Sequence, residues 1–481
     1  MNHANDTKRH ALTRRQALRS MMLGGGALMS GGLWLRPLFG DAAPTAAPKA
    51  RRPNIVFILA DDQGHGDAGF TGGRDIDTPH LDRLAAEGVR FSDFYANAPI
   101  CGPSRSAILS GLYPQQAGMY YNEPQPKRKT DPNRDYPELR HDVVLLPEVL
   151  KKAGYATGAV GKWHLGYVKP NLPNDRGFDD YYGFLGGACH YGPRHGGRLF
   201  VNDKPHDEQG HLTDLFTREA VSFVEKRADD DKPFFLYLAY NAPHGPIDVG
   251  AAMLPERVAK YEKRGLDPQR AKFAAIVDHL DEGVGKVLGA IDKAGIRENT
   301  VVVYMSDNGA MRGKGGSNAP FSGWKATSRE GGFREPCIVR YPGVTAKGAL
   351  STSMVSSLDF FPTLAAWAGA EPPENLKGLD LRKHLKAPDK TPLGERTFFF
   401  EHKGEVAVRR GRWKLIGDIC PGRKKGKGKK NFPEWTLFDL PADIKEEHNV
   451  AAKHPEIVQQ LRAALDEWLE TFEPHFWIKP N

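Results

Sequence analysis

The chain has 481 residues, of which 40% are hydrophobic and 26% charged, and a formal net charge of +8. Residues 1–46 hold six Lys and Arg against two Asp, a net of +4, which leaves only +4 for the remaining chain. Such a mild balance is not typical of a nucleic-acid-binding protein. The length suits one large domain with a smaller one. No stable membrane insertion is expected, because no segment after the amino terminus is long and apolar enough.

The first 46 residues have the order of a bacterial export signal. A twin arginine, Arg14-Arg15, precedes a weakly apolar, glycine-rich stretch at 21–39, and small residues follow at 41–43. This order predicts a twin-arginine signal peptide over 1–46, cleaved near residues 42–47. The protein is then expected to be periplasmic or secreted, with the twin-arginine export machinery as a partner. An uncleaved anchor is the alternative, which the prolines and glycines of the stretch disfavour.

Strands and helices are predicted to alternate along residues 47–385. Continuous apolar runs predict buried strands, and a cap, an apolar spacing or a following glycine predicts each helix. The strands are 54–59, 155–160, 234–240 and 301–305. The first helix has Thr78 as its cap, Pro79 in its first turn and Gly88 after its end, and the other helices are 103–111, 145–153 and 273–294. The fold class is therefore α/β, with a large mixed sheet sandwiched by helices in a catalytic domain at 47–385.

The sequence pattern changes after residue 385. Four short strands are predicted between residues 397 and 440, with a tight turn at Arg410-Gly411, and a final amphipathic helix at 456–471. Residues 386–481 are thus predicted to form a subdomain with a small antiparallel sheet and one helix. The lysine-rich segment 423–430 within it is interpreted as a solvated loop, with polyanion binding as the alternative.

Four polar clusters follow predicted strands, where sites of open α/β sheets gather. They are Asp61-Asp62, Gly161–His164, Pro243–Gly245 and Asp307–Gly309. Each alone is also typical of a turn or a helix cap, but four in this position favour a site.

The oxygen-bearing residues of these clusters predict a cation site. Asp61, Asp62, Asp307 and Asn308 supply only oxygen ligands, which suit Ca²⁺ or Mg²⁺ better than zinc. Neighbours in a strand point to opposite faces, so Asp61 and Asp62 reach one ion only if the chain has left the strand. We expect Gln63-Gly64 to make that turn.

Cys101 begins the rare string Cys101-Gly102-Pro103-Ser104-Arg105. The four cysteines form no C-x-x-C pair, so neither a disulfide framework nor a cysteine zinc site is expected, and Cys337 is predicted to be buried in a strand. Cys101 lies just before a predicted helix, where backbone N–H groups favour anions.

Five cationic or imidazole side chains are expected to form, together with the cation, a pocket for a charged oxyanion. Each of them alone is ordinarily a surface residue or a hydrogen-bonded one. They are Arg105, Lys162, His164, His244 and Lys325.

Together these segments resemble the type I sulfatases of the alkaline-phosphatase superfamily, over roughly residues 53–440. The resemblance is carried by Asn54–Asp62, Thr78–Leu84, Cys101–Arg105 continuing to Pro114, Gly161–Gly166, Ala242–His244, Ser306–Gly309 and Glu330–Pro336.

The resemblance implies that a formylglycine-generating or sulfatase-maturating enzyme oxidises Cys101 to formylglycine. One hydroxyl of the hydrated aldehyde then attacks sulfur, the alcohol leaves, and the other hydroxyl drives release of sulfate. A single Ca²⁺, the family's usual ion, would be held by Asp61, Asp62, Asp307, Asn308 and modified Cys101. Because the twin-arginine route carries folded proteins, Cys101 is expected to be converted before transport.

The resemblance also assigns roles to the basic residues. Arg105 and Lys162 steady the formylglycine, and His164 assists its turnover. His244 and Lys325 bind the sulfate or protonate the leaving oxygen, although Trp324–Thr327 departs from the Gly-Lys-x-Thr string common in relatives.

The substrate is expected to be a sulfated carbohydrate. Cys189–Pro193 and Gly315–Phe321 resemble segments of the N-acetylgalactosamine-6-sulfatases more than of the arylsulfatases A. This favours a 6-sulfated galactose or N-acetylgalactosamine unit, with His190 as a candidate sugar contact.

The sequence leaves three alternatives open. One is a phosphonate or phosphate ester hydrolase of the same superfamily. The second is a Cys–His hydrolase with an unmodified thiol, and the third is an inactive relative that binds sulfated glycans through the 423–430 loop.

Overall fold

A computed structural model describes residues 52–124, 136–192, 199–419 and 435–474. The predicted signal peptide at 1–46 and the lysine-rich loop at 423–430 lie outside these ranges. Within them, no helix has both the length and the apolar composition needed to cross a membrane.

A ten-stranded mixed sheet carries the larger part of the fold, in the order β11-β2-β10-β9-β1-β8-β4-β5-β6-β7. Its strands are β1 Asn54–Asp61, β2 Val89–Phe91, β4 Ala156–Lys162, β5 Asp180–Phe184, β6 Leu199–Val201, β7 Lys204–His206, β8 Phe234–Pro243, β9 Thr300–Ser306, β10 Cys337–Arg340 and β11 Ala349–Ser351, with β3 Phe94–Tyr95 and β12 Val355–Ser356 forming a separate pair. The helices around it are α1 Pro79–Glu87, α2 Cys101–Ser110, α3 Leu146–Lys152, α4 Leu212–Ala228, α5 Ile247–Ala252, α6 Pro255–Lys263, α7 Pro268–Lys293, α8 Phe360–Ala368 and α9 Arg382–Lys386.

The central strand β1 explains why its sequence is a continuous apolar run. Val56 and Ile58 enter a core formed with α1, α4 and α7, whereas Phe57 and Leu59 enter a second core formed with α2, α3 and α8. Since both faces are covered, every residue of the strand is buried. The predicted α/β class, with a mixed sheet between helices, is confirmed. Cys337 is buried in β10, as expected.

Helix α1 begins at the predicted position, but its cap differs from the expected one. Thr78 makes no side-chain cap bond to the helix, and its hydroxyl instead accepts from Gly69 N at 2.8 Å. The N–H groups of His80 and Leu81 donate to the carboxylate of Asp281 in α7, at 3.0 and 2.8 Å. Tertiary packing thus supplies the cap that we expected from the local sequence.

The C-terminal residues form a four-stranded antiparallel sheet and a helix, as predicted. The strands are β13 Thr397–His402, β14 Glu405–Arg410, β15 Trp413–Asp418 and β16 Thr436–Asp439, and the helix is α10 Pro455–Leu469. One face of the sheet packs against α10, and the other against Tyr95 and Phe333 of the larger part. The boundary at 385 remains a prediction.

Candidate active site

Four neighbouring parallel strands end at one edge of the large sheet. In the sheet order β9-β1-β8-β4, Ala60 pairs with Ser306, Asp61 with Pro243 and Gly161 with Ala239. The polar residues that follow these strands therefore converge, as the sequence predicted. All four predicted strands ended one to three residues too early, because β1 continues through Asp61, β4 through Lys162, β8 through Pro243 and β9 through Ser306.

The turn after β1 is made by Asp62 itself and not by Gln63-Gly64. Asp61 is still a strand residue, whereas Asp62 has a left-handed φ of 66°. This conformation carries the Asp62 carboxylate to the side of Asp61. Gly64 has another role: a Cβ there would lie 2.2 Å from the carbonyl oxygen of Ser317, so only glycine permits the approach.

The acidic residues lie together and are fully or almost fully buried. Asp307 Oδ1 accepts from the Asp62 backbone N–H at 3.3 Å, and Asn308 Nδ2 donates to Asp62 Oδ1 at 2.7 Å. Asn308 Oδ1 is buried and has no hydrogen-bond partner among the described residues. A set of oxygen donors with one unsatisfied amide oxygen fits a hard divalent cation.

Cys101 is the first residue of α2, which therefore begins two residues earlier than predicted. Its Sγ lies 3.3 Å from Asp61 Oδ1 and 3.9 Å from Asp62 Oδ1. The thiol is thus at the acidic cluster and at a helix N-terminus, and only 2% of the residue is exposed. The Gly102 N–H of the same helix donates to Asn122 Oδ1 at 3.0 Å.

Arg105 and Lys162 are enclosed beneath the thiol. Arg105 contacts Asp307 Oδ2 at 2.9 Å through Nε, and donates to the Lys162 carbonyl at 2.9 Å. Lys162 Nζ lies 2.6 Å from Asp61 Oδ2. Both side chains are fully buried. Arg105 and Lys162 therefore contact the acidic residues directly, and through them they fix the positions of the side chains around Cys101.

Lys325 and His244 lie at the mouth of the site. Lys325 Nζ is 2.5 Å from Asp62 Oδ1 and 2.9 Å from Cys101 Sγ. His244 Nδ1 is 2.7 Å from the Gly245 carbonyl, and its Nε2 faces Asp62 Oδ2 at 3.8 Å. Their side chains are 10% and 21% exposed, so solvent reaches the site on this side.

His164 and His190 have different surroundings. His164 is buried with a left-handed φ of 61°, and its Nδ1 has no hydrogen-bond partner among the described residues. Gly187 permits the approach of the His164 ring, because a Cβ there would lie 2.8 Å from Nε2. His190 is exposed, and its role as a sugar contact remains a prediction.

Burial and neighbouring charge shift the ionisation of the site. Burial, together with Asp61, raises the pKa of the Cys101 thiol to about 12. Burial alone would raise the pKa of Asp61, but Lys162, His244 and Arg105 outweigh it and hold that pKa below its ordinary value. Burial would lower the pKa of Lys325, yet Asp62 and Cys101 raise it well above its ordinary value. At neutral pH Cys101 is therefore a thiol beside a charged lysine.

Burial also acts on two further groups. It raises the pKa of Asp307, with Asp61 adding to the effect. It lowers the pKa of His244, although Asp61 and Asp62 act in the opposite direction. The imidazole is therefore neutral at physiological pH in this structure.

Three residues near the site were not predicted from the sequence. Asn122 caps the helix of Cys101, and the Tyr191 hydroxyl donates to the His244 carbonyl at 2.9 Å. Glu335 is buried with neither carboxylate oxygen partnered among the described residues, and burial followed by Asp307 raises its pKa well above the ordinary value. Glu335, inside the Glu330–Pro336 string, and Tyr191, inside the Cys189–Pro193 string, carried a signal that could have identified them, whereas Asn122 carried none.

Comparisons with known proteins give one consistent result. The family model described as Sulfatase matches residues 53–370, and one described as N-sulphoglucosamine sulphohydrolase, C-terminal, matches residues 324–472. N-acetylgalactosamine-6-sulfatase of Mus musculus is 36% identical over 79% of this chain and 77% of that protein. Arylsulfatase A of Homo sapiens is 35% identical over 86% of this chain and 87% of that protein.

Among solved structures, the crystal structure of Ps i-CgsB in complex with k-i-k-neocarrahexaose is similar to this chain. The identity is 34% and the TM-score 0.78, over 89% of this chain and 95% of that one. The likeness thus extends over both the catalytic motifs and the C-terminal sheet. The chain belongs to the sulfatase family and is a sulfuric ester hydrolase.

Proposed function

We propose that the chain hydrolyses sulfate esters of a sulfated carbohydrate through a formylglycine derived from Cys101, with a bound Ca²⁺. The observation that carries this proposal is the position of the Cys101 sulfur. It lies at the start of α2, 3.3 Å from Asp61 and 2.9 Å from the ammonium of Lys325. A residue at this point faces both the cation ligands and a positive charge suited to an oxyanion.

The ionisation of Cys101 supports the modified residue over a thiol nucleophile. An unmodified cysteine acts as a thiolate, whereas burial and Asp61 raise the pKa of this thiol to about 12. As long as no cation is bound beside it, a thiolate is therefore scarce at neutral pH. When formed, the hydrated aldehyde supplies one hydroxyl to attack sulfur and a second to release sulfate.

The acidic residues suit the proposed cation. Asp61, Asp62, Asp307 and Asn308 would hold it together with residue 101, and the unsatisfied Asn308 Oδ1 is a ligand atom without another use. When bound, the cation would polarise the sulfate and lower the pKa of the attacking hydroxyl. Arg105 and Lys162 hold Asp61 and Asp307 in place.

Lys325 and His244 are proposed to handle the sulfate and the leaving oxygen. Lys325 remains charged because its pKa is raised, so we assign it to binding the sulfate oxygens. His244 Nδ1 is directed to the Gly245 carbonyl, so Nε2 is the ring atom that faces the site. Because the ring is neutral at physiological pH, Nε2 must first take up a proton before it can transfer one to the leaving oxygen. Buried His164 is proposed to assist turnover of residue 101.

A 6-sulfated galactose or N-acetylgalactosamine unit is the proposed substrate. The N-acetylgalactosamine-6-sulfatases among the relatives support the 6-sulfated unit. Ps i-CgsB, whose structure is a complex with k-i-k-neocarrahexaose, supports a carbohydrate substrate in general. His190, exposed near Tyr191, is the proposed sugar contact.

Maturation is proposed to precede both folding and export. Cys101 is only 2% exposed in the folded chain, so a formylglycine-generating or sulfatase-maturating enzyme must meet it before the fold closes. The twin-arginine machinery would then carry the folded protein to the periplasm. The burial of Cys101 and the export of an already folded chain both require that the oxidation takes place in the cytoplasm.

A sulfate-release screen over defined sulfated sugars tests the proposal. We expect release from 6-sulfated galactose or N-acetylgalactosamine, loss with chelator, restoration by Ca²⁺, and no release by Cys101→Ala. Faster turnover of an aryl phosphonate than of an aryl sulfate would favour a phosphonate hydrolase. Sensitivity to thiol alkylation without sensitivity to chelator would favour a thiol hydrolase, and binding of sulfated glycans without sulfate release would favour a binding protein.

A further inference from the structure

Lys325 lies in a closed loop of residues 322–331, here called the Lys325 loop. Its ends meet through a hydrogen bond from Gly331 N to Ser322 O at 2.7 Å. Two further backbone hydrogen bonds hold the loop next to Lys325 itself. Lys325 N donates to Ala310 O at 3.1 Å, and Ala326 N donates to Pro99 O at 2.8 Å. Ala326 has a left-handed φ of 65°, so this segment is held in a conformation that alanine rarely adopts.

Glu446, from the segment after β16, holds both ends of the loop. Its Oε2 accepts from Ser322 Oγ at 2.7 Å and from Glu330 N at 2.8 Å. Its carbonyl accepts from the guanidinium of Arg329. Glu446 is itself left-handed, with a φ of 55°. One residue, more than 100 positions along the chain, thus fixes both ends of the loop.

Lys414 of β15 completes the buried contact. Its Nζ lies 2.9 Å from Glu330 Oε1 and 2.8 Å from Glu446 Oε1, and the side chains of all three residues are fully buried. A buried lysine between two carboxylates fixes their relative positions, because displacing either leaves an uncompensated charge.

Glu405 of β14 holds the middle of the loop. Its Oε1 accepts from Ser328 N at 2.9 Å. Unlike Lys414 and Glu446, Glu405 is partly exposed, so its removal leaves no buried charge. Glu405, Lys414 and Glu446 all belong to the C-terminal sheet and its connections, and none of the three contacts the reacting atoms.

We propose that Glu405, Lys414 and Glu446 are positioning residues, through which the C-terminal sheet places the Lys325 ammonium against Cys101 and Asp62. This proposal rests on the function proposed above, in which Lys325 binds the sulfate. The ammonium makes contacts of 2.5 and 2.9 Å, so a small displacement of the loop removes them. Misplacement of an active-site group by about 1 Å lowers activity by as much as about 100-fold.

The test uses Glu405→Ala and Glu405→Gln, with inorganic sulfate as the probe. Its affinity is measured as competitive inhibition and by calorimetry. We expect Glu405→Ala to weaken sulfate binding about ten-fold. Glu405→Gln keeps an oxygen acceptor for Ser328 N, so it should bind sulfate as the parent protein does. Glu447→Ala, at an exposed glutamate next to Glu446, is the matched control and should change nothing.

A double-mutant cycle separates positioning from a general structural effect. If Glu405 acts through Lys325, Glu405→Ala has no further effect in a Lys325→Ala background. An equal ten-fold loss in that background would overturn the proposal, and so would unchanged sulfate affinity in Glu405→Ala.

A wrong proposed function can be distinguished from a wrong positioning role. If the proposed function is wrong, the parent protein itself releases no sulfate from any ester, whatever the Glu405 variants do. A crystal structure of Glu405→Ala then still tests the positioning, because Lys325 Nζ found unmoved between Asp62 and Cys101 would overturn it.

Discussion

Two clusters of buried charged residues in this fold differ in which atoms they leave without a partner. The Lys414 cluster consists of Lys414, Glu330, Glu446, Tyr95, Arg334 and Arg409. The thiol cluster consists of Cys101, Asp61, Asp62, Arg105, Lys162, His244, Asp307, Asn308 and Lys325. In the Lys414 cluster, Glu330 pairs through Oε1 with Lys414 and accepts through Oε2 from Tyr95 at 2.8 Å and from Arg334 at 3.2 Å. In the thiol cluster around Cys101, the Asn308 amide oxygen has no partner among the described residues, and His244 and Lys325 open to solvent. Buried charge alone therefore does not indicate an active site. Within the described part of the chain, Glu446 Oε1 also lacks a hydrogen bond, but it makes an ion pair with Lys414, whereas Asn308 Oδ1 has neither and lies in a site that opens to solvent. This second combination is the one that indicates an active site.

The largest expected effect separates activity from stability in the thiol cluster. Cys101→Ala removes the residue that carries the chemistry, so we expect kcat/KM to fall on the order of 10⁴-fold or more. The free energy of unfolding should change by less than about 1 kcal/mol, since Cys101 belongs to none of the apolar cores described above. Sulfate release and denaturant unfolding measure the two quantities, and a variant that retains activity would refute the role of Cys101.

The reverse is expected in the Lys414 cluster. Lys414→Ala leaves Glu446 buried without its cation, and Glu330 keeps only its ion pair with Arg334, so the free energy of unfolding should fall by about 3–5 kcal/mol. Lys445→Ala, at an exposed lysine beside Glu446, is the control and should stay within about 0.5 kcal/mol. Denaturant titration measures both variants. Equal stability of the two would mean that the buried contacts contribute nothing.

The pH dependence of stability sharpens the contrast further. Burial would raise the pKa of Glu330, but Lys414, Arg334 and Arg409 outweigh it and lower that pKa from 4.5 to about 2. Its stabilising contribution is thus fully present above pH 4.5 and is lost as the pH falls toward 2. Glu330→Gln should reduce the slope of unfolding free energy against pH in this window by up to about 1.4 kcal/mol per pH unit. Unfolding curves at stepped pH measure this slope, and an unchanged slope would contradict the assignment.

The smallest expected effect concerns a hydroxyl of the Lys414 cluster. Tyr95 OH donates to Glu330 Oε2 and accepts from Arg409 Nε at 3.1 Å. Tyr95→Phe removes both bonds but keeps the ring, so the free energy of unfolding should fall by about 1–2 kcal/mol. Thermal unfolding measures the change, and a variant as stable as the parent would show that the hydroxyl is not needed.

The sequence predicted the thiol cluster well because its residues follow strands. Apolar runs locate the strands, and parallel pairing brings their ends together, so Asp61, Asp307 and His244 could be expected to meet. The position of the turn after β1 was predicted wrongly, because the turn depends on the left-handed conformation of Asp62, which the local sequence does not indicate.

The Lys414 cluster could not be predicted in the same way. Glu446 follows the strands of the C-terminal sheet, and its contact with the Lys325 loop depends on how that sheet packs against the larger part. The Asp281 cap of α1 is of the same kind. Contacts between distant segments leave no periodic signal in the sequence, so they become visible only in the folded chain.

Peptide mass spectrometry of the protein recovered from the periplasm tests the central claim most directly. We expect the peptide containing Cys101 to have the mass of the formylglycine form, whereas the peptide containing Cys337 should retain its cysteine. A sulfate-releasing preparation in which residue 101 is wholly unmodified cysteine would contradict it.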